Sequence, residues 1–80
     1  MATKHSDISG HNLEKEILLV AEQLFLTKGF SGTSTTDIAR GVGCNQALVH
    51  YYYRTKENLF LQVFKIKMEE IFSSLLEPLL

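Results

Sequence analysis

Eighty residues with a net charge of −1, one cysteine and 45% apolar content describe one small domain, near the lower size limit for a core built without disulfides or metals. A single cysteine excludes an internal disulfide framework, so packing alone must hold the fold, as suits a reducing cytoplasm. The longest unbroken apolar run, Ile17 to Ala21, is far short of the roughly 20 residues of a membrane span, and the polar opening MATKHSDISGHN has no apolar signal-peptide region.

Residues 1–11 read as a flexible tail. Beyond them Leu13, Ile17, Val20, Ala21, Leu24 and Phe25 recur at helical spacing and form one apolar stripe. Asn12 is the expected N-cap, with Glu14 and Glu16 near the positive end of the helix dipole. Lys28-Gly29 gives the C-terminal charge and the stop. Phe30 is expected to tuck back into the core. Ser31-Gly32-Thr33 forms the connecting loop, and either Ser34 or Thr33 caps a second helix, a contribution of about 1 kcal/mol.

The stretch Thr35–Tyr53, TTDIARGVGCNQALVHYYY, carries the most information. Ile38 and Val42 stand four apart on one face of a short helix, with Ala39 beside them where a larger side chain would push the helices apart. Gly43 falls where the chain must turn sharply, and glycine reaches the left-handed backbone region without a Cβ penalty. Cys44 then points a small apolar group inward, and Val49 and Tyr53 give the next helix a buried face. This is the pattern of a helix-turn-helix over residues 34–53, whose second helix enters the DNA major groove.

Thr55-Lys56-Glu57-Asn58 opens a fourth helix, with Thr55 as N-cap and Asn58 at the capping-box position. This helix is apolar on too many sides. Phe60, Phe64, Met68, Ile71, Phe72 and Leu75 form one stripe, and Leu59, Val63 and Ile66 a second. A three-helix head can cover one of them, so the second stripe needs another partner. No strand-like alternation occurs, and the domain is expected to be all-α: a small helical bundle, three-helix head plus a long fourth helix. Charge is uneven as well. Residues 34–67 carry +3, residues 1–33 carry −1 and residues 68–80 carry −3. The basic excess surrounds the helix-turn-helix but is modest, so affinity for a polyanion would depend on a dimer doubling the phosphate contacts.

From Gly29 to Leu59 the chain reads GFSGTSTTDIARGVGCNQALVHYYYRTKENL. The Gly-aromatic pair, the Thr/Ser run, D-I-A, the V-G turn, A-L-V-H-Y and K-E-x-L together resemble the N-terminal domain of TetR-family transcriptional regulators. The likeness covers nearly all of residues 12–76. It departs at Cys44-Asn45, where Val-Ser is more usual, at Tyr52-Tyr53 for His-Phe, and at Arg54 for a small residue or proline. The resemblance implies a sequence-specific DNA-binding regulator in the cytoplasm, most often a repressor. It further implies a homodimer on a palindromic operator, with a C-terminal domain, starting at residues 77–80, that dimerises and binds a small-molecule effector.

Candidate DNA-binding residues follow from position. The recognition helix starts near Asn45, and Gln46 is the best base reader because its amide both donates to and accepts from an adenine edge. Ala47 lies on the exposed side. Leu48 either meets a thymine methyl or packs at the helix seam. His50 and Tyr51 pass the sugar-phosphate wall, and Tyr52 either joins them or packs on the first helix. Ser34, Thr35 and Thr36 open the second helix, whose N-terminus favours a phosphate, and the resemblance implies backbone contacts there. Lys56 opposes the dipole of the fourth helix, a cost that a phosphate would offset.

Other classes fare poorly. Cys44 and His50, six residues apart, lie about 240° round a helix from each other and make no nucleophile-base pair, so the chain is not expected to be an enzyme. His5 and His11 have no cysteine spaced for zinc, and neither a metal nor a cofactor is expected. The serious alternative is a helical protein-interaction domain using the apolar fourth helix.

Overall fold

A computed structural model of the chain describes residues 10–79. The tail expected over residues 1–11 lies outside them as far as residue 9. Helix α1 runs Gly10–Lys28, α2 Thr35–Val42, α3 Gln46–Tyr53 and α4 Lys56–Leu76, followed by a 3₁₀ turn over Glu77–Leu79. No strand occurs among the described residues. The all-α bundle with a three-helix head and a long fourth helix is therefore the architecture observed.

One expected boundary moves. Helix α1 begins at Gly10, so Asn12 lies exposed inside its first turn and is not the N-cap. Asparagine tolerates a solvent-facing helical position when a downstream stripe anchors the helix, and here Ile17, Ala21 and Phe25 are buried.

Every helix contributes to one core. Ile17, Ala21 and Phe25 of α1 meet Ile38, Ala39 and Val42 of α2, Val49 and Tyr53 of α3, and Leu59 and Val63 of α4. Each fully buried Ile or Leu contributes about 1.5–3 kcal/mol relative to exposure. Phe30 packs against this core, stacking on Phe25 with ring centroids 5.8 Å apart and meeting Phe60 edge-on at 5.3 Å. The Tyr53 hydroxyl donates to the Glu14 carbonyl at 3.0 Å, tying the end of α3 to α1.

Two glycines serve different ends. Gly43 adopts φ +87° at the corner between α2 and α3, and its N–H donates to the Ala39 carbonyl at 2.8 Å. Gly41 has an ordinary helical backbone but no room: a Cβ there would stand 2.7 Å from Val20 Cγ1. Gly41 is thus a point where α1 and α2 approach too closely for a side chain, and its spacing in the sequence does not disclose it.

The α3–α4 corner stores strain. Arg54 takes φ 73° and ψ −56°, and the Thr55 N–H reaches back to the Tyr53 carbonyl at 2.7 Å. This is a γ-turn of the rare positive-φ kind, unfavourable for a residue with a side chain. Asn58 helps hold it. Its backbone N–H donates to the Thr55 hydroxyl at 3.0 Å, while its side-chain amide donates to the Tyr53 carbonyl at 2.9 Å. The amide therefore braces the corner and does not close a capping box on Thr55.

The outcome on α4 reverses the sequence expectation. Leu59 and Val63 of the second stripe enter the core while Ile66 stays exposed; in the other stripe Phe60 rests edge-on against Phe25 and Phe30, and Phe64, Met68, Ile71, Phe72 and Leu75 stay exposed. The inward face of α4 is the one that carries Leu59, fully buried, and Val63 one turn on. Farther along, Lys67 bonds to Glu22 of α1 at 2.9 Å and to Glu70 at 3.2 Å, and these hydrogen bonds hold its ammonium above the usual lysine range.

Candidate nucleic-acid interface

The N-terminus of α2 is built by a reciprocal cap. The Ser34 hydroxyl accepts from the Asp37 N–H at 3.0 Å, and the Asp37 carboxylate accepts from the Ser34 N–H at 3.1 Å. Ser34, and not Thr33, is therefore the cap. The bonds from Ser34 hold the Asp37 carboxyl below the usual carboxylate range, helped by Lys28. Asp37 also pairs with Lys28 at 3.4 Å and Arg40 at 3.2 Å, which offsets its negative charge where a phosphate would approach.

Thr33 has a different task. It is 1% exposed, and its hydroxyl reaches the carbonyls of Gly29 at 2.8 Å and Leu24 at 3.2 Å. One side chain thus serves the open C-terminal end of α1, immediately before its neighbour caps α2.

Helix α3 is capped by Asn45, whose amide oxygen accepts from the Ala47 N–H at 2.7 Å. Asn45, at the leading end of the recognition helix, is also among the residues expected to contact DNA, and that bond occupies one of its acceptor positions. Val49 and Tyr53 are buried, while Gln46, Ala47, Leu48, His50 and Tyr51 are exposed. The alternation follows from an eight-residue helix that buries one side against the head. Of the two places open to Leu48, the exposed one is observed. Tyr52 takes the inner of its two, half-buried against the core and edge-on to Tyr51 at 5.0 Å.

The two helices meet at their N-termini. The Gln46 side-chain amide donates to the Thr35 hydroxyl at 2.9 Å and accepts from the Thr36 hydroxyl at 3.1 Å. The expected base reader and the two expected phosphate contacts are thus bonded to one another, a link that their spacing in sequence does not disclose.

Lys56 is also engaged. Its ammonium donates to the Phe30 carbonyl at 2.8 Å and lies 4.2 Å from the centre of the Phe30 ring. The dipole cost expected at the start of α4 is therefore offset within the protein by a carbonyl and a cation–π contact. An ammonium has three N–H donors, so two remain. Lys56, Ser34, Thr35 and Asp37 help to line an open hollow of about 340 Å³. An acceptor-rich group entering it would meet the start of both α2 and α4.

The thiol of Cys44 is half-buried, and burial together with Glu16 pushes its pKa up, which disfavours the nucleophilic thiolate. Among the described residues no helix is long and apolar enough to cross a membrane, and no cluster of three or more His, Cys, Asp or Glu side chains is placed to hold a metal ion.

Against known proteins, residues 17–63 match the family described as bacterial regulatory proteins, tetR family. The chain is 38% identical over 56 residues to the HTH-type transcriptional regulator QacR of Staphylococcus aureus, an alignment spanning 70% of this chain and 30% of that protein. It is 34% identical over 55 residues to the HTH-type transcriptional regulator EthR of Mycolicibacterium smegmatis, covering 69% of this chain and 25% of EthR. The HTH-type transcriptional regulator AcrR of Shigella flexneri is 30% identical over 57 residues, covering 71% and 26%. A crystal structure of a HlyIIR mutant, with residues 169–186 replaced by a linker containing two thrombin sites, superposes with a TM-score of 0.69 at 38% identity. It covers 71% of this chain and 31% of that one. The chain thus spans about a quarter to a third of the length of these relatives.

Proposed function

This chain belongs to the tetR family of bacterial regulatory proteins, and from that premise we propose that it is the DNA-binding head of a cytoplasmic, ligand-released repressor that grips a palindromic operator as a dimer. The observation that carries the reading is the two-sidedness of α3. Val49 and Tyr53 lock one side into the head, while Gln46, Ala47, Leu48, His50 and Tyr51 are exposed on the side that would enter a major groove. With Gln46 at the leading end, the first turn of α3 meets base edges and the later residues meet the backbone. Ser34, Thr35 and Lys56 flank this edge and take phosphates, and Thr36 offers its backbone N–H at the start of α2.

The dimer requirement rests on charge and geometry. A local balance of +3 neutralises few phosphates, so two heads acting together supply the affinity, the second binding at a high effective concentration. They must present α3 to successive major grooves, roughly 34–36 Å apart. The uncovered stripe of α4, from Phe64 to Leu75, supports a seat for the effector-binding and dimerising part of the protein. An effector there would tilt α4, alter the spacing of the two heads and release the operator.

The test is a titration of residues 1–80 and of the intact protein on the same operator, located by footprinting on the protein's own upstream DNA, with the mass of each complex determined. The expected result is weak binding by the fragment and tight dimeric binding by the intact protein. Equal affinity of a monomeric fragment would defeat the dimer requirement and the release mechanism together. The exposed α4 stripe also favours a second reading, a protein-interaction domain. Steep weakening with salt supports DNA, and salt-insensitive association supports that alternative.

A further inference from the structure

We propose that Thr35 and Thr36 are positioning residues that fix which way the Gln46 amide faces, so that a phosphate held by Thr35 orients the side chain that reads an adjacent base. The inference rests on the DNA-binding reading above and adds to it a coupling between backbone contact and base choice. Thr36 gives its single hydroxyl proton to Gln46 Oε1 at 3.1 Å, and Gln46 Nε2 donates to Thr35 Oγ1 at 2.9 Å. Thr35 therefore accepts from Gln46 and keeps its own proton. A phosphate offers only acceptors, so it takes that proton.

The polarity then has one solution. With the amide turned over, Thr35 would have to give its proton to the Gln46 oxygen and would have none for the phosphate. A phosphate on Thr35 thus keeps Nε2 on the Thr35 side and Oε1 on the Thr36 side. Bonds aligned donor to acceptor in this way also polarise and strengthen one another. One N–H and one lone pair of the amide stay unused. This remaining donor and acceptor suit N7 and N6 of adenine, whereas guanine presents two acceptors there and leaves the Gln46 oxygen without a donor.

The experiment is binding-site selection from a library of random DNA duplexes with the intact protein, comparing wild type, Gln46→Ala, Thr36→Val, Thr36→Ser and Thr35→Val. Thermal midpoints check that each variant folds. Gln46→Ala should abolish the adenine preference at one position of each half-site. Thr36→Val should weaken that same preference roughly three- to tenfold, the equivalent of one neutral hydrogen bond, and leave the other positions untouched. Thr36→Ser keeps the donor and should retain the wild-type preference, a rescue that a merely structural role would not produce. Thr35→Val should lower affinity for every duplex and weaken the preference as well. Full preference in Thr36→Val, with loss in Gln46→Ala, would overturn the positioning role while leaving the DNA reading intact. An unchanged motif in Gln46→Ala would overturn it by removing its reader. Selection of no sequence by the wild type would remove the DNA-binding premise instead.

Discussion

Replacing Thr33 by valine keeps the shape of the side chain and deletes one hydroxyl. The site is 1% exposed, so water cannot take the place of the lost donor. That hydroxyl lies 2.8 Å from the Gly29 carbonyl and 3.2 Å from the Leu24 carbonyl, the two acceptors it serves at the end of α1. A net hydrogen bond contributes about 0.5–1.5 kcal/mol, and an acceptor left without a partner adds a desolvation cost of about 1–3 kcal/mol when fully buried. Gly29 itself is exposed, which lets water reach part of its carbonyl. The working figure is therefore about 1–2 kcal/mol, in the lower part of that range. For a domain of this size each kcal/mol moves the midpoint by roughly 4–8 °C, so Thr33→Val should melt roughly 5–15 °C lower when followed by far-UV circular dichroism. Thr33→Ser, which keeps the hydroxyl and loses a methyl worth about 0.8 kcal/mol, should fall less. A valine variant that melts with the wild type, or a serine variant that melts below it, would refute the argument that the hydroxyl secures the α1–α2 junction.

Lys56→Ala should weaken binding to all duplexes alike and reduce the salt slope by roughly one unit, while Lys56→Arg should preserve the slope; an unchanged slope in the alanine variant, measured by titration across ionic strengths, would leave Lys56 only its contacts with Phe30. Burial pushes the pKa of the Tyr53 hydroxyl up to about 12 from the ordinary tyrosine value of 10.0, with Glu14 and Tyr52 adding to the effect. The raised value favours the neutral phenol in the folded state, so this contribution is complete below pH 10.0 and is lost as pH rises toward about 12. Tyr53→Phe should lose that alkaline limb of the stability curve along with about 1 kcal/mol from its bond to Glu14, and denaturant midpoints across pH would show both. Gly41→Ala forces a methyl to within 2.7 Å of Val20 Cγ1 and should destabilise despite the better helix propensity of alanine. Adding Val20→Ala should recover part of the loss, and strictly additive effects in that double-mutant cycle would argue against the contact.

The helices, their inner faces over the first three, and the corner between α2 and α3 were legible in the sequence. Those depend on short-range physics: apolar residues at helical spacing, a capping serine or threonine, and a glycine at φ +87° that only a turn requires. Ile38, Val42, Val49 and Tyr53 are buried as their spacing foretold. The family was legible too, because its motif is a run of local signals in fixed order. Which residues of α4 face inward is a matter of packing, since both stripes have the same periodicity and the choice falls to the neighbouring helices that bury Leu59 and Val63. The same holds for Gly41, whose importance lies in Val20, 21 positions away on another helix. Lys56 reads in sequence as a cation awaiting an anion, and packing supplies Phe30, 26 residues earlier, as its partner. Thr35, Thr36 and Gln46 likewise read as independent contacts, each with its own task. Their joining is set by the angle at which two helices cross, a quantity that no local pattern encodes.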